Sequence, residues 1–135
     1  MPDAQATAHI GTETYRTQIH LASHTIQADE PAEVGGTDTA PTPYELLLSS
    51  LGACTAITLR MYADRKNLPL EAVEVNLALD VEKTGGGQKT RITREIKLLG
   101  NLDATVRQRM VEIANNCPVH RILAGEIEIR SALQD

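Results

Sequence analysis

Thr42-Pro43-Tyr44-Glu45-Leu46-Leu47-Leu48-Ser49-Ser50-Leu51-Gly52-Ala53-Cys54-Thr55-Ala56-Ile57-Thr58-Leu59 is the stretch on which the fold turns. Thr42 can cap a helix, Pro43 suits the first helical position, and Glu45 completes a Thr-x-x-Glu capping box. From Leu46 to Leu59 no residue is charged, and the polar ones are small: Ser49, Ser50, Thr55 and Thr58. Such a helix is apolar around its whole circumference, yet its uncharged part is too short to span a bilayer, which leaves a helix buried on most sides. A chain of 135 residues holds little material with which to wrap it, so a second copy is expected to cover it, as an obligate dimer.

Outward from that helix the pattern changes period. Upstream, Tyr15, Thr17, Ile19 and Leu21 alternate with Arg16, Gln18 and His20 as a half-buried strand should, and His24 to Ala28 reads as its hairpin partner. Between them and the helix, Asp29 to Pro43 gathers Pro31, Gly35, Gly36, Pro41 and Pro43 into a long loop, and loops of that length are often functional. Downstream, Pro69 closes the helix. Val73, Val75, Leu77, Leu79 and Val81 then form the clearest strand, with Gly85-Gly86-Gly87 as a turn into a partner carrying Ile92, Ile96 and Leu98. Arg94 falls on that partner's apolar face, where it is either a cation for the site with a partner of its own or an edge side chain pointing to solvent. A second helix is expected over Asp103 to Asn116, with Val106, Met110, Ile113 and Cys117 on one stripe, and a last strand over Glu126 to Arg130. The order predicts an α+β fold with antiparallel sheet packed on helices, as a single domain over 1–135.

Composition excludes several classes of partner. The 13 basic and 18 acidic residues give a net charge of −5 with no basic stripe, and there is no Trp or Phe beside three tyrosines. Neither nucleic acid nor an anionic membrane is expected as a partner. Met1 to Ala8 lacks the charge and apolar run of a secretory signal, so a cytoplasmic location is expected.

Two cysteines in a reducing compartment are too few for a zinc site and point to redox chemistry or to buried, unreactive thiols. Cys54 lies mid-helix among Leu51, Ala53 and Ile57, where burial raises a thiol's pKa unless tertiary structure supplies a cation or donor. Cys117, placed before Pro118, is expected to end its helix, where carbonyl dipoles oppose a thiolate. If one sulfur attacks, Cys54 is therefore the choice and Cys117 resolves. The reaction that suits the pair is peroxide reduction through a Cys54 sulfenic acid and a Cys54–Cys117 disulfide, reset by an external dithiol.

Pro41 through Ala56 resembles the central cysteine helix of the OsmC/Ohr family. Ala28-Asp29-Glu30-Pro31 with Gly35-Gly36 ahead of it, and Ile113-Ala114-Asn115-Asn116-Cys117-Pro118-Val119-His120 behind it, match in the same order. The resemblance implies antiparallel sheets wrapped around two central helices in an intertwined homodimer, with active sites at the subunit interface. It also implies reduction of organic hydroperoxides by the cysteine pair without metal or organic cofactor, in defence against oxidative stress. Peroxidase members carry a glutamate directly after the helix-opening proline and an arginine in a Gly-Gly-Arg turn. Here Tyr44 follows Pro43, Glu45 lies half a circumference from Cys54 at about 100° per residue, and the first turn reads Gly11-Thr12-Glu13. Glu45 is thus expected to cap, and Arg16, Arg94 and His120 are the candidates to support Cys54. Two other functions fit the same residues: binding of a small apolar ligand at the dimer interface, and sulfur or acyl transfer through Cys54.

Overall fold

Thr42 and Glu45 start the long helix by satisfying each other's backbone. The Thr42 amide donates to Glu45 Oε1 at 2.9 Å and the Glu45 amide to Thr42 Oγ1 at 3.2 Å, the reciprocal pattern of a capping box. Helix α1 then runs Pro43–Arg65. The computed structural model describes residues 2–134, which fall into two compact units, one up to Leu47 and the other from Leu48 onward.

In the first unit, strands β1 (Ala6–His9), β2 (Thr17–Leu21) and β3 (His24–Ala28) form an antiparallel sheet in that order. Its register sets Ile19 opposite Ala8 and Ile26 on one face, and His20 opposite Thr7 and Thr25 on the other, so the period of two divides apolar from polar side chains. The loop that follows is organised by Asp29, whose side chain is buried. Its carboxylate accepts from the amides of Tyr15, Glu30, Thr37 and Thr39 and from the hydroxyls of Thr37 and Thr39. Led by the Thr37 hydroxyl, these donors hold its pKa well below the usual carboxylate range. Gly36 backs directly onto the Glu30 carbonyl, where any β-carbon would collide with backbone.

In the second unit, β4 (Leu70–Thr84) and β5 (Gly87–Gly100) make one long antiparallel hairpin. Val73, Val75, Leu77, Leu79 and Val81 share a half-buried face with Ile92, Arg94, Ile96 and Leu98. Gly52 of α1 brings the helix close to this face: a β-carbon there would lie 2.9 Å from Leu77 Cδ1. Helix α2 (Ala104–Ala114) starts at Asp103, whose carboxylate accepts from the Val106 amide at 2.9 Å, and α3 (Pro118–Ala124) follows. The core joins Leu59 and Ala63 of α1 to Leu70, Leu102, Met110 and Ala114. Arg107 fastens α2 to the end of β5 by donating to the carbonyls of Leu98, Gly100 and Leu102 at 2.8–2.9 Å.

This is the α+β fold that the periodicity predicts, with four differences. Helix α1 is 23 residues long, so by length and composition alone it could cross a membrane, as core helices of soluble proteins also could. It is not buried on most sides of this chain: only the stripe Leu51, Thr55, Leu59, Ala63 is buried, while Leu47, Ile57 and Met61 are exposed. Strand β1 and helix α3 were not anticipated, being too short to establish a period. The expected last strand over Glu126 to Arg130 is absent: residues 126–134 form no regular element, and Ile127 and Ile129 are exposed. A strand exists only through its ladder, and in this chain the segment has none.

Candidate functional site

Four elements of the second unit converge on two sulfurs. Cys54 is half-buried on α1, one position round from the buried stripe, and its neighbour Thr55 lies on that stripe. Cys117 arrives from the other side. Helix α2 ends at Ala114, Asn115 closes it, and Pro118 keeps Cys117 extended at φ −60° and ψ 132°, the conformation a residue before proline prefers. Pro118 in the sequence predicts Cys117 at the carbonyl end of a helix. In the structure it is instead the N-cap of α3, and the His120 amide donates to its Sγ at 3.4 Å. The dipoles expected to oppose a thiolate are replaced by amide donors.

The two thiols influence each other's ionisation, and Cys117 is fully buried while Cys54 is partly accessible. Burial pushes the Cys54 thiol up, and its sulfur partner pushes the same way. Burial also raises Cys117, but donation from the Cys54 thiol, the His120 and Val119 amides and the Thr55 hydroxyl outweighs it, so Cys117 is lowered. Negative charge shared by the pair therefore rests on Cys117, while Cys54 offers the accessible sulfur.

Arg94 of β5 meets the residues that flank this pair, Thr55 next to Cys54 and Asn115 and His120 on either side of Cys117. Its strand position opposite Leu77 turns it to the half-buried face, and there it has partners of its own rather than pointing to solvent. Nη1 donates to Thr55 Oγ1 at 3.0 Å; Nη2 donates to Asn115 Oδ1 at 2.9 Å and to His120 Nδ1 at 3.0 Å. Accepting at Nδ1 fixes a neutral imidazole with its proton on Nε2. Burial first, then the Arg94 charge, hold the His120 pKa below its ordinary value.

Of the candidate residues, the structure brings Cys54, Cys117, Arg94 and His120 together. Arg16 belongs to the first unit, where it pairs with Glu13 at 3.4 Å across an exposed turn. Glu45 takes its place in the capping box. Thr55 and Asn115 went unrecognised. The signal was present for Thr55, since a hydroxyl four residues before Leu59 and four after Leu51 stands on the buried stripe, but nothing in the sequence pairs it with Arg94, 39 positions away. Among the described residues no group of three His, Cys, Asp or Glu side chains is placed to hold a metal ion.

A family model described as OsmC-like protein matches residues 36–132. Among solved structures the chain is similar to an OsmC-like protein from Mycoplasma pneumoniae, with a TM-score of 0.78 and 20% identity over 92% of this chain and 89% of that one. It is similar to an organic hydroperoxide resistance protein OsmC from Legionella pneumophila, with a TM-score of 0.71 and 21% identity over 93% and 91% of the two chains. OhrB of Bacillus subtilis, an organic hydroperoxide resistance protein, aligns with a TM-score of 0.66 and 23% identity over 90% of each. No curated protein matches the sequence.

Proposed function

The chain belongs to the OsmC-like family, and from that premise we propose that it is a cysteine-based peroxidase that reduces organic hydroperoxides through Cys54 and Cys117. The observation that carries this reading is the pair of interacting free thiols, one partly accessible and one buried, beside an arginine-centred cluster. Similar structures named for organic hydroperoxide resistance support a role in peroxide stress.

Cys54, as the accessible sulfur, passes its proton to the Cys117 thiolate and attacks the distal peroxide oxygen. The S–O bond forms, the O–O bond breaks, and the alkoxide leaves as an alcohol after taking a proton. The Cys54 sulfenic acid then condenses with Cys117, forming the disulfide and releasing water. An external dithiol reduces that disulfide, which suits a reducing, cytoplasmic setting. Arg94 positions Thr55, Asn115 and His120 around the pair, and His120, neutral rather than the imidazolium expected from sequence, contributes its backbone amide to Cys117 Sγ; the positions of the family's glutamate and arginine hold other residues here.

A second copy of the chain is the natural cover for the exposed apolar residues Leu47, Ile57 and Met61 of α1, so the working form is a homodimer. Turnover is the test. Purified protein with an alkyl hydroperoxide and a dithiol reductant consumes peroxide, and Cys54→Ser and Cys117→Ser each abolish it. Absence of consumption, with thiols unchanged, would overturn the peroxidase reading and turn attention to a small apolar ligand.

A further inference from the structure

Cys117 holds two positions in this fold. It is one thiol of the pair, and it is also the N-cap of α3, extended at φ −60° and ψ 132°, with its Sγ accepting from the His120 amide at 3.4 Å. Helix caps are ordinarily Ser, Thr, Asp or Asn, whose oxygen keeps that role under any redox condition. A cysteine sulfur does not. In a disulfide it stands about 2 Å from its partner sulfur, so to bond Cys54 the Cys117 Sγ must turn from the α3 amide toward α1. Once bonded it is uncharged, and an uncharged sulfur is a weak acceptor for an N–H.

Little else keeps α3 folded. It has seven residues, too few for a helix to stand by itself. None of them is fully buried, and Val119, His120 and Leu123 are half-buried. Its side-chain ties, Arg94 Nη2 to His120 Nδ1 at 3.0 Å and Arg121 Nη2 to Asn116 Oδ1 at 3.2 Å, both hold the first turn. Past Ala124, residues 126–134 form no regular element that could anchor the far end. We propose that Cys117 is a redox-sensitive helix cap: when its sulfur passes from thiol to disulfide the His120 amide loses its acceptor, and α3 frays together with the segment behind it. The proposal rests on the dithiol reading, in which two thiols and one organic hydroperoxide become one disulfide, one alcohol and one water. Because Cys117 is fully buried, fraying of the residues that follow it also widens the approach of the external dithiol to the disulfide.

The test is amide hydrogen exchange of the full chain, reduced and after oxidation to the disulfide, with intact mass confirming each state. Amides of His120 to Ala124 are expected to exchange about five- to tenfold faster in the oxidised protein, the size of losing one helix cap, while those of α2 keep their rates. A dithiol restores protection. In the absence of any oxidant, Cys117→Ala reproduces the faster exchange and Cys117→Ser, which caps through its hydroxyl, does not. Exchange in α3 that is unchanged or slower in the disulfide form overturns the proposal, as does a Cys117→Ala protein whose α3 is as protected as in wild type. Should Cys117→Ala fail to fold, the two states of the unsubstituted protein decide alone. Failure of the dithiol reading would look different: hydroperoxide would leave both thiols intact, and a disulfide made instead with diamide would still report on the cap.

Discussion

Replacing Arg94 with methionine tests whether the arginine cluster holds the site together. Methionine keeps much of the buried stem and removes the guanidinium, and with it three hydrogen bonds of 2.9–3.0 Å. They are unequal. Thr55 is fully buried, so water cannot replace the bond to its oxygen, and a hydrogen bond to a charged group in such a place contributes about 1.5–3 kcal/mol. Asn115 is exposed and His120 half-buried, so water substitutes there and each loss is about 0.5 kcal/mol. Against these stands the relief of no longer desolvating a cation, about 1 kcal/mol for a half-buried group. The net expectation is a loss of about 2 kcal/mol, or roughly 6–10 °C in melting temperature for a chain of this size. Denaturant unfolding of wild type and variant measures it. Histidine NMR should show the His120 pKa rising toward its ordinary value, because the Arg94 cation is one of the two causes that lower it. Arg94→Lys keeps the charge but not the planar fork and should recover less than half of the stability. A loss under about 0.5 kcal/mol together with an unmoved His120 would refute the reasoning.

Three further outcomes follow from the same structure. His120 is neutral in the folded protein with its pKa below 6.5, so as pH falls through 6.5 the unfolded chain takes the proton first; stability is fully present above that value and declines below it. Melting curves across that range should show the decline, and His120→Gln should flatten it. Arg107→Met removes three donors to the carbonyls that close β5 and should cost about 2 kcal/mol in denaturant unfolding, with thiol reactivity unchanged. Gly36→Ala drives a β-carbon into the Glu30 carbonyl oxygen; limited proteolysis should cut between Asp29 and Pro43 faster than in wild type.

Much of the fold was legible because its elements carry strong local periods. The capping box at Thr42 and Glu45, the alternation from Val73 to Val81 and the stripe through Val106 and Met110 each announce their element without tertiary information. What escaped depends on partners distant in the chain. Cys117 looked like a helix end because Pro118 stops α2; that it also opens α3 shows only once the seven residues of that helix are seen to turn back toward it. Asp29 gathers Tyr15, Thr37 and Thr39 from both sides, a hub without any sequence period. Glu126 to Arg130 has the alternation of a strand, but alternation cannot provide the neighbour that a ladder needs. The site divides in the same way: both cysteines and Arg94 as a candidate cation could be read directly, whereas Thr55 and Asn115 as its companions could not.

The central claim is that Cys54 and Cys117 act as one redox pair. Treating the reduced protein with one equivalent of an organic hydroperoxide and measuring its intact mass tests this most directly. The account predicts loss of both free thiols with the loss of two hydrogens, a peptide map joining Cys54 to Cys117, and no such product in Cys54→Ser. Persistence of both thiols, or oxidation of one sulfur without a bond to the other, would contradict it.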